Sequence, residues 1–93
     1  MPAPNMKPSE MEAIISQAGL HITEVAWLFQ VARSTVYDWF NGVPPRNRFL
    51  YDNACAITRK IKRATDRGLL PPKQQGKKAR EQEILVALKD GAR

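Results

Sequence analysis

Cysteine and histidine are almost missing: Cys55 and His21 are the only ones in 93 residues. One thiol forms no intrachain disulfide, and a thiol with one imidazole falls short of the four ligands of a structural zinc site. The fold must therefore be held by packing, and the lone cysteine fits a reducing compartment. Long apolar runs are missing too. Val25 to Phe29 and Ile84 to Leu88 are the longest, far below the roughly 18 to 20 residues that cross a bilayer. The opening Met1-Pro2-Ala3-Pro4-Asn5 lacks the basic and apolar blocks of a secretory leader, so the expectation is a cytoplasmic, nucleoid-associated protein with no membrane partner. No Gly-rich phosphate loop, Ser/His/Asp set or supported carboxylate pair is visible. The expectation is a protein that is not an enzyme and carries no cofactor or metal. His21 reads as a surface or helix-start residue and Cys55 as a packing residue.

Acidic residues are also scarce. Nine Asp and Glu stand against fifteen Lys and Arg, a formal charge of +6, which favours a polyanionic partner. The excess lies in the second half: residues 1–31 sum to −2, residues 32–48 to +2 and residues 49–93 to +6. All seven aromatics fall between Trp27 and Tyr51, which predicts the centre of the core there. A chain this short holds one core.

Local signals predict helices only. The first eight residues, with three prolines, read as a flexible arm. Ser9 and Glu12 have the spacing of a capping box, and Met11, Ile14, Ile15 and Ala18 form one face of the helix that follows. Gly19 ends it, Thr23 caps a second helix through Glu24 to Gln30, and a third runs from about Arg33 to Phe40 until Asn41-Gly42 and Pro44-Pro45 stop it. Leu50, Ala54, Ile57, Ile61 and Ala64 make one stripe of a longer helix from about Arg46 or Asn47 to Arg67. Gly68 closes that helix, and residues 68–79 read as a basic linker. Residues 80–93 form a short helical extension with a stripe of Ile84, Leu85 and Leu88. The predicted fold class is all-α, a compact bundle of four to five helices, with its main domain over residues 9–67.

Two short helices joined by a few residues, the second ending at Asn-Gly, have a helix-turn-helix outline. Val25-Ala26, Phe29, Val31, Arg33-Ser34-Thr35-Val36, Trp39 and Asn41-Gly42 fall without gaps on the pattern of the lambda repressor and Cro family, which the chain resembles over residues 9–67. Val25, Phe29, Val36 and Trp39 are spaced to meet between the two helices, Val31 to plug the corner, and Ala26 to let the helices approach. Gln30 stands where the family usually has Gly, and Ala32 where it usually has a capping Ser or Thr. The expectation is a left-handed Gln30 and a cap supplied one turn later by Ser34.

The resemblance implies that the third helix enters a major groove, which makes Arg33, Ser34, Thr35, Tyr37, Asp38 and Asn41 the candidate base contacts. The Arg33 fork matches guanine O6 and N7. Ser34 and Thr35 either bind phosphate or cap the helix. Tyr37 meets a thymine methyl or a phosphate, or is a rim residue. Asp38 either accepts from cytosine N4 or pairs internally with Arg33 or a nearby basic residue, the internal pair being favoured. Arg46, Asn47 and Arg48 are the candidate phosphate contacts, while Arg59, Lys60 and Arg63 are either a second phosphate surface or a solvated face. Trp27, Leu28 and Phe40 are surplus apolar groups that need cover, from Ile84, Leu85 and Leu88, from a second copy or from another protein.

These readings predict a sequence-specific DNA-binding regulator, a repressor acting as a homodimer on double-stranded DNA with a palindromic operator, and the family likeness implies one that resembles phage or mobile-element regulators. The alternative is a protein-interaction module, an antitoxin or phage inhibitor of a host protein, with secondary DNA binding. Nonspecific adhesion through the basic run leaves the helix-turn-helix pattern unexplained.

Overall fold

The computed structural model describes residues 6–91. Five helices and no strand occur among them: α1 Pro8–Gln17, α2 Ile22–Phe29, α3 Arg33–Phe40, α4 Arg48–Asp66 and α5 Lys77–Gly91. The chain is an all-α bundle built around α4, which packs on α1, α2 and α5, while α3 packs on α1 and α2.

Two apolar clusters meet along α4. The first joins Met11 and Ile15 of α1, Val25, Ala26 and Phe29 of α2, Val36 and Trp39 of α3, and Tyr51, Ala54 and Cys55 of α4. The second joins Ala18, Ile61, Ala64 and Leu70 to Ile84 and Ala87 of α5, with Leu28 reaching both clusters. Three of the seven aromatics are buried, Phe29, Trp39 and Tyr51, in a row with ring centroids 6.5 Å and 5.1 Å apart. Phe40 is half-buried, but Trp27, Tyr37 and Phe49 face solvent, so the aromatic span is not all core. Burial pushes the Tyr51 hydroxyl up to about 12, and this hydroxyl donates to the Met6 carbonyl at 2.7 Å. Of the arm expected over residues 1–8, residues 1–5 lie outside the described ones, and Pro8 already belongs to α1.

Several helix starts differ from expectation. Ser9 is inside α1, whose first turn holds Pro8 and whose cap position is Lys7, with no side-chain bond. Proline needs no N–H partner at a helix start, so the boundary moves two residues earlier and the Ser9 box does not form. In α2 the cap position is His21 and not Thr23. Glu24 reaches back to accept from the His21 N–H at 2.8 Å, which places the start two residues upstream. Ser34 is likewise within α3, behind an uncapped Ala32.

The helix ends follow the glycine signals. At Gly19 φ is +69°, and an added Cβ would lie 2.6 Å from Cβ of Pro71, so both backbone conformation and contact require glycine. Gln30 takes the left-handed conformation at φ 59°, ψ 43°, and the Val31 N–H closes onto the Ala26 carbonyl at 3.0 Å. A side chain there costs about 1–2 kcal/mol, partly offset by the greater freedom glycine would have in the unfolded chain. Gln30→Gly is therefore expected to raise stability by about 0.5 kcal/mol, read as an upward shift of the urea midpoint at constant slope.

The region after α4 departs most from its expected division. Gly68, at φ +77°, ends α4, but α5 begins at Lys77, inside the segment read as linker. The Glu83 carboxylate accepts from the backbone N–H groups of Lys73 and Gln74 at 2.9–3.0 Å, tying the remaining loop to α5. These bonds hold the Glu83 carboxyl below its ordinary range. The buried stripe of α5 is Ile84 and Ala87 with Leu88 half-buried, whereas Leu85 is exposed. Residues 92–93 of the expected extension lie outside the described residues.

Candidate nucleic-acid interface

Helix α3 is short and amphipathic, with Val36 and Trp39 wholly inside. The positions opposite them, Arg33, Ser34, Tyr37, Asp38 and Asn41, are exposed. Arg33, Tyr37 and Asn41 recur at every fourth residue, so they share one face, with Ser34 and Asp38 beside them. Tyr37 is 51% exposed, and Thr35 is half-buried at the edge. Five of the six candidate base contacts therefore lie together on solvent-facing surface.

The end of α3 directs the following loop back beside that face. The Gly42 N–H bonds the Trp39 carbonyl at 3.0 Å and the Val43 N–H bonds the Asp38 carbonyl at 2.9 Å, a glycine-dependent helix end with Gly42 at φ +89°. Pro44 and Pro45 then bar a further turn. A cavity of about 320 Å³ is lined by Thr35, Asp38 and Trp39 from α3 and by Val43, Pro44, Arg46, Asn47 and Leu50. Arg46 and Asn47 thus border the same hollow as the α3 face, although they are eight or more residues from Asp38 in sequence.

Asn47 has a structural duty: its Oδ1 accepts from the Leu50 N–H at 3.3 Å and caps α4. Its carbonyl oxygen is committed, which leaves the amide NH₂ for an outside acceptor. Arg48 is exposed and lies 3.5 Å from Asp52 one helical turn on, a surface pair too weak to hold it. Asp38 forms no ion pair among the described residues, so the internal partner expected for it is not found. Its neighbours on the α3 face are polar or aromatic, and the Arg33 side chain is five residues away, off the i+3 and i+4 spacings that bring helical pairs together.

Arg59, Lys60 and Arg63 are not gathered into this surface. They lie eleven or more residues beyond Arg48 on α4, about 16 to 22 Å along the axis at 1.5 Å per residue. Lys60 and Arg63 are exposed and Arg59 is half-buried. Phe49 was not singled out by the sequence, yet it is 85% exposed between Arg48 and Leu50. Its position in the first turn of α4 places it off the stripe marked by Ala54, Ile61 and Ala64.

The apolar groups expected to need cover divide. Leu28 and Phe40 are half-buried within the chain, Ile84 is fully enclosed, and Leu88 is half-buried. Ile84 is thus used within the chain, and the other three keep part of their surface. Trp27 stays 44% exposed and borders a groove of about 540 Å³ between α2 and α5, with His21, Lys77 and Glu81 among its walls.

Behind that groove lies a bidentate ion pair between α5 and α2. Arg80 of α5 donates from Nε to Glu24 Oε2 at 2.8 Å and from Nη2 to Glu24 Oε1 at 2.9 Å, with a further bond to the Gly19 carbonyl at 3.0 Å. Glu24 is 7% exposed. Burial pushes its carboxyl up, but the Arg80 hydrogen bonds, the His21 N–H and the guanidinium charge outweigh that, leaving it below its ordinary value. No short-range signal pointed to this pair, because its members are 56 residues apart.

No protein-family model, curated protein or solved structure matches this chain. Among the described residues no helix is long and apolar enough to cross a membrane.

Proposed function

We propose that this chain is a sequence-specific DNA-binding regulator, a repressor acting as a homodimer on a two-fold symmetric operator. One observation carries the reading: Arg33, Ser34, Tyr37, Asp38 and Asn41 form an exposed face on a helix anchored by Val36 and Trp39, followed by the cationic Arg46 in the loop and Arg48 at the start of α4. Such a helix fits a major groove about 12 Å wide, and cationic groups beside it meet the phosphates.

Selection from random duplexes at physiological salt tests this directly. The expected outcome is an enriched palindrome with half-sites about 34 Å apart; binding without enrichment sinks it. Arg33→Ala is expected to lower specific affinity by about 1–3 kcal/mol and relax selection at one base per half-site. An equal loss on every sequence would put Arg33 on phosphate. Arg46→Ala or Arg48→Ala is expected to reduce the slope of log affinity against log salt by about one unit with base preference kept. An unchanged slope would place that residue off the DNA.

The second reading, a protein-interaction module, is favoured by the exposed Trp27 in its groove. It predicts that Trp27→Ala abolishes capture of the protein partner while DNA selection remains weak.

A further inference from the structure

We infer that the outward face of α5 is a self-complementary docking surface for a second copy of this chain, set antiparallel about Leu85. This deepens the regulator reading and rests on it for the need of a dimer. Ile84 and Ala87 point inward, which turns Leu85, 44% exposed, and Val86 to solvent. Glu81 and Lys89 lie four residues before and after Leu85, so the three share a helix face. Neither Glu81 nor Lys89 forms an ion pair among the described residues.

A two-fold axis through Leu85 brings the residue n places before it opposite the residue n places after it on the second copy. Leu85 then meets Leu85, and Glu81 meets Lys89 twice. A helix face with like charges at these two positions would repel itself; this one attracts. Because α5 packs on α4 while α3 packs on α1 and α2, a copy seated on α5 does not displace the helices that hold α3. Contact along one helix face falls below the roughly 1,200 Å² of a standard stable interface. The dimer is accordingly weak in free solution and is reinforced when two half-sites of one duplex raise the effective concentration.

Charge exchange tests the surface. Sedimentation is measured for the wild type, Glu81→Lys, Lys89→Glu, the double variant and an equimolar mixture of the two single variants. Each single change places like charges opposite one another at both contacts, so self-association is expected to fall roughly tenfold. The double variant and the mixture both restore two opposite-charge contacts and are expected to return to within about threefold of wild type, which a merely structural role for either residue would not produce. Leu85→Cys is expected to give a covalent dimer on mild oxidation, since the axis juxtaposes the two thiols while Cys55 is buried. Absence of recovery in the mixture, single variants that associate like wild type, or no self-association of the wild type either free or on DNA would each overturn the proposal. Recovery in the mixture with no enriched DNA motif would sink the regulator reading and keep the dimer surface. An enriched motif bound with equal cooperativity by every variant would do the reverse.

Discussion

Truncation after Lys78 is expected to leave a chain that no longer melts as one cooperative unit above about 37 °C. The deletion removes Ile84, Ala87 and Leu88, and with them the cover over Ala18, Ile61, Ala64 and Leu70. Losing a buried Ile and a half-buried Leu costs about 3–5 kcal/mol together, before the newly exposed surface on the other side is counted. Removal of Arg80 adds to this, because Glu24 is left enclosed without its cation. The combined loss approaches the roughly 5–15 kcal/mol that stabilises a whole domain. Far-ultraviolet circular dichroism against temperature would show a broad, early transition, and a hydrophobic dye would bind the exposed face. A truncated chain melting within about 5 °C of the full one would show that α5 is an accessory and not part of the core.

Arg80→Met is expected to destabilise the fold by about 3 kcal/mol at neutral pH and by progressively less as the pH falls towards 4. In the intact protein the Glu24 carboxyl lies below its ordinary value. Its contribution is therefore complete above the unfolded value of about 4.3 and is lost as the pH drops through the lower folded value. Without Arg80, burial is opposed only by the His21 groups, and the carboxyl is expected to rise above that of the unfolded chain. The sign then reverses: the variant loses stability as the pH rises from about 4.3 through the raised value, because an enclosed carboxylate must be kept charged. Urea unfolding of both proteins between pH 4 and 7 measures the gap. The double change Glu24→Gln with Arg80→Met is expected to recover much of the loss and flatten the profile, since no unpaired charge remains. A gap that does not vary with pH would mean that Arg80 acts through packing of its stem and not through Glu24.

The helices and most of their inward faces were legible in the order of the residues. Periodic apolar positions, left-handed glycines and paired prolines act over a few residues, so the α3 span and its Asn-Gly end could be read directly, whereas the cap at Asn47 emerged only in the structure. The same locality made Arg33, Tyr37 and Asn41 legible as one face. Helix starts were less secure, because Ser9, Thr23 and Ser34 are all competent caps in isolation and the choice fell to Pro8, to Glu24 reaching back to His21, and to the uncapped Ala32. Tertiary structure alone decided how α5 is used. Ile84, Leu85 and Leu88 have nearly equivalent hydrophobicity and spacing, and only the docking of α5 on α4, pinned by Arg80 on Glu24 from the far end of the chain, turned Ile84 in and Leu85 out. Side-chain direction on a helix with two apolar neighbours is set by the surface it meets, and that surface is assembled from residues dozens of positions away.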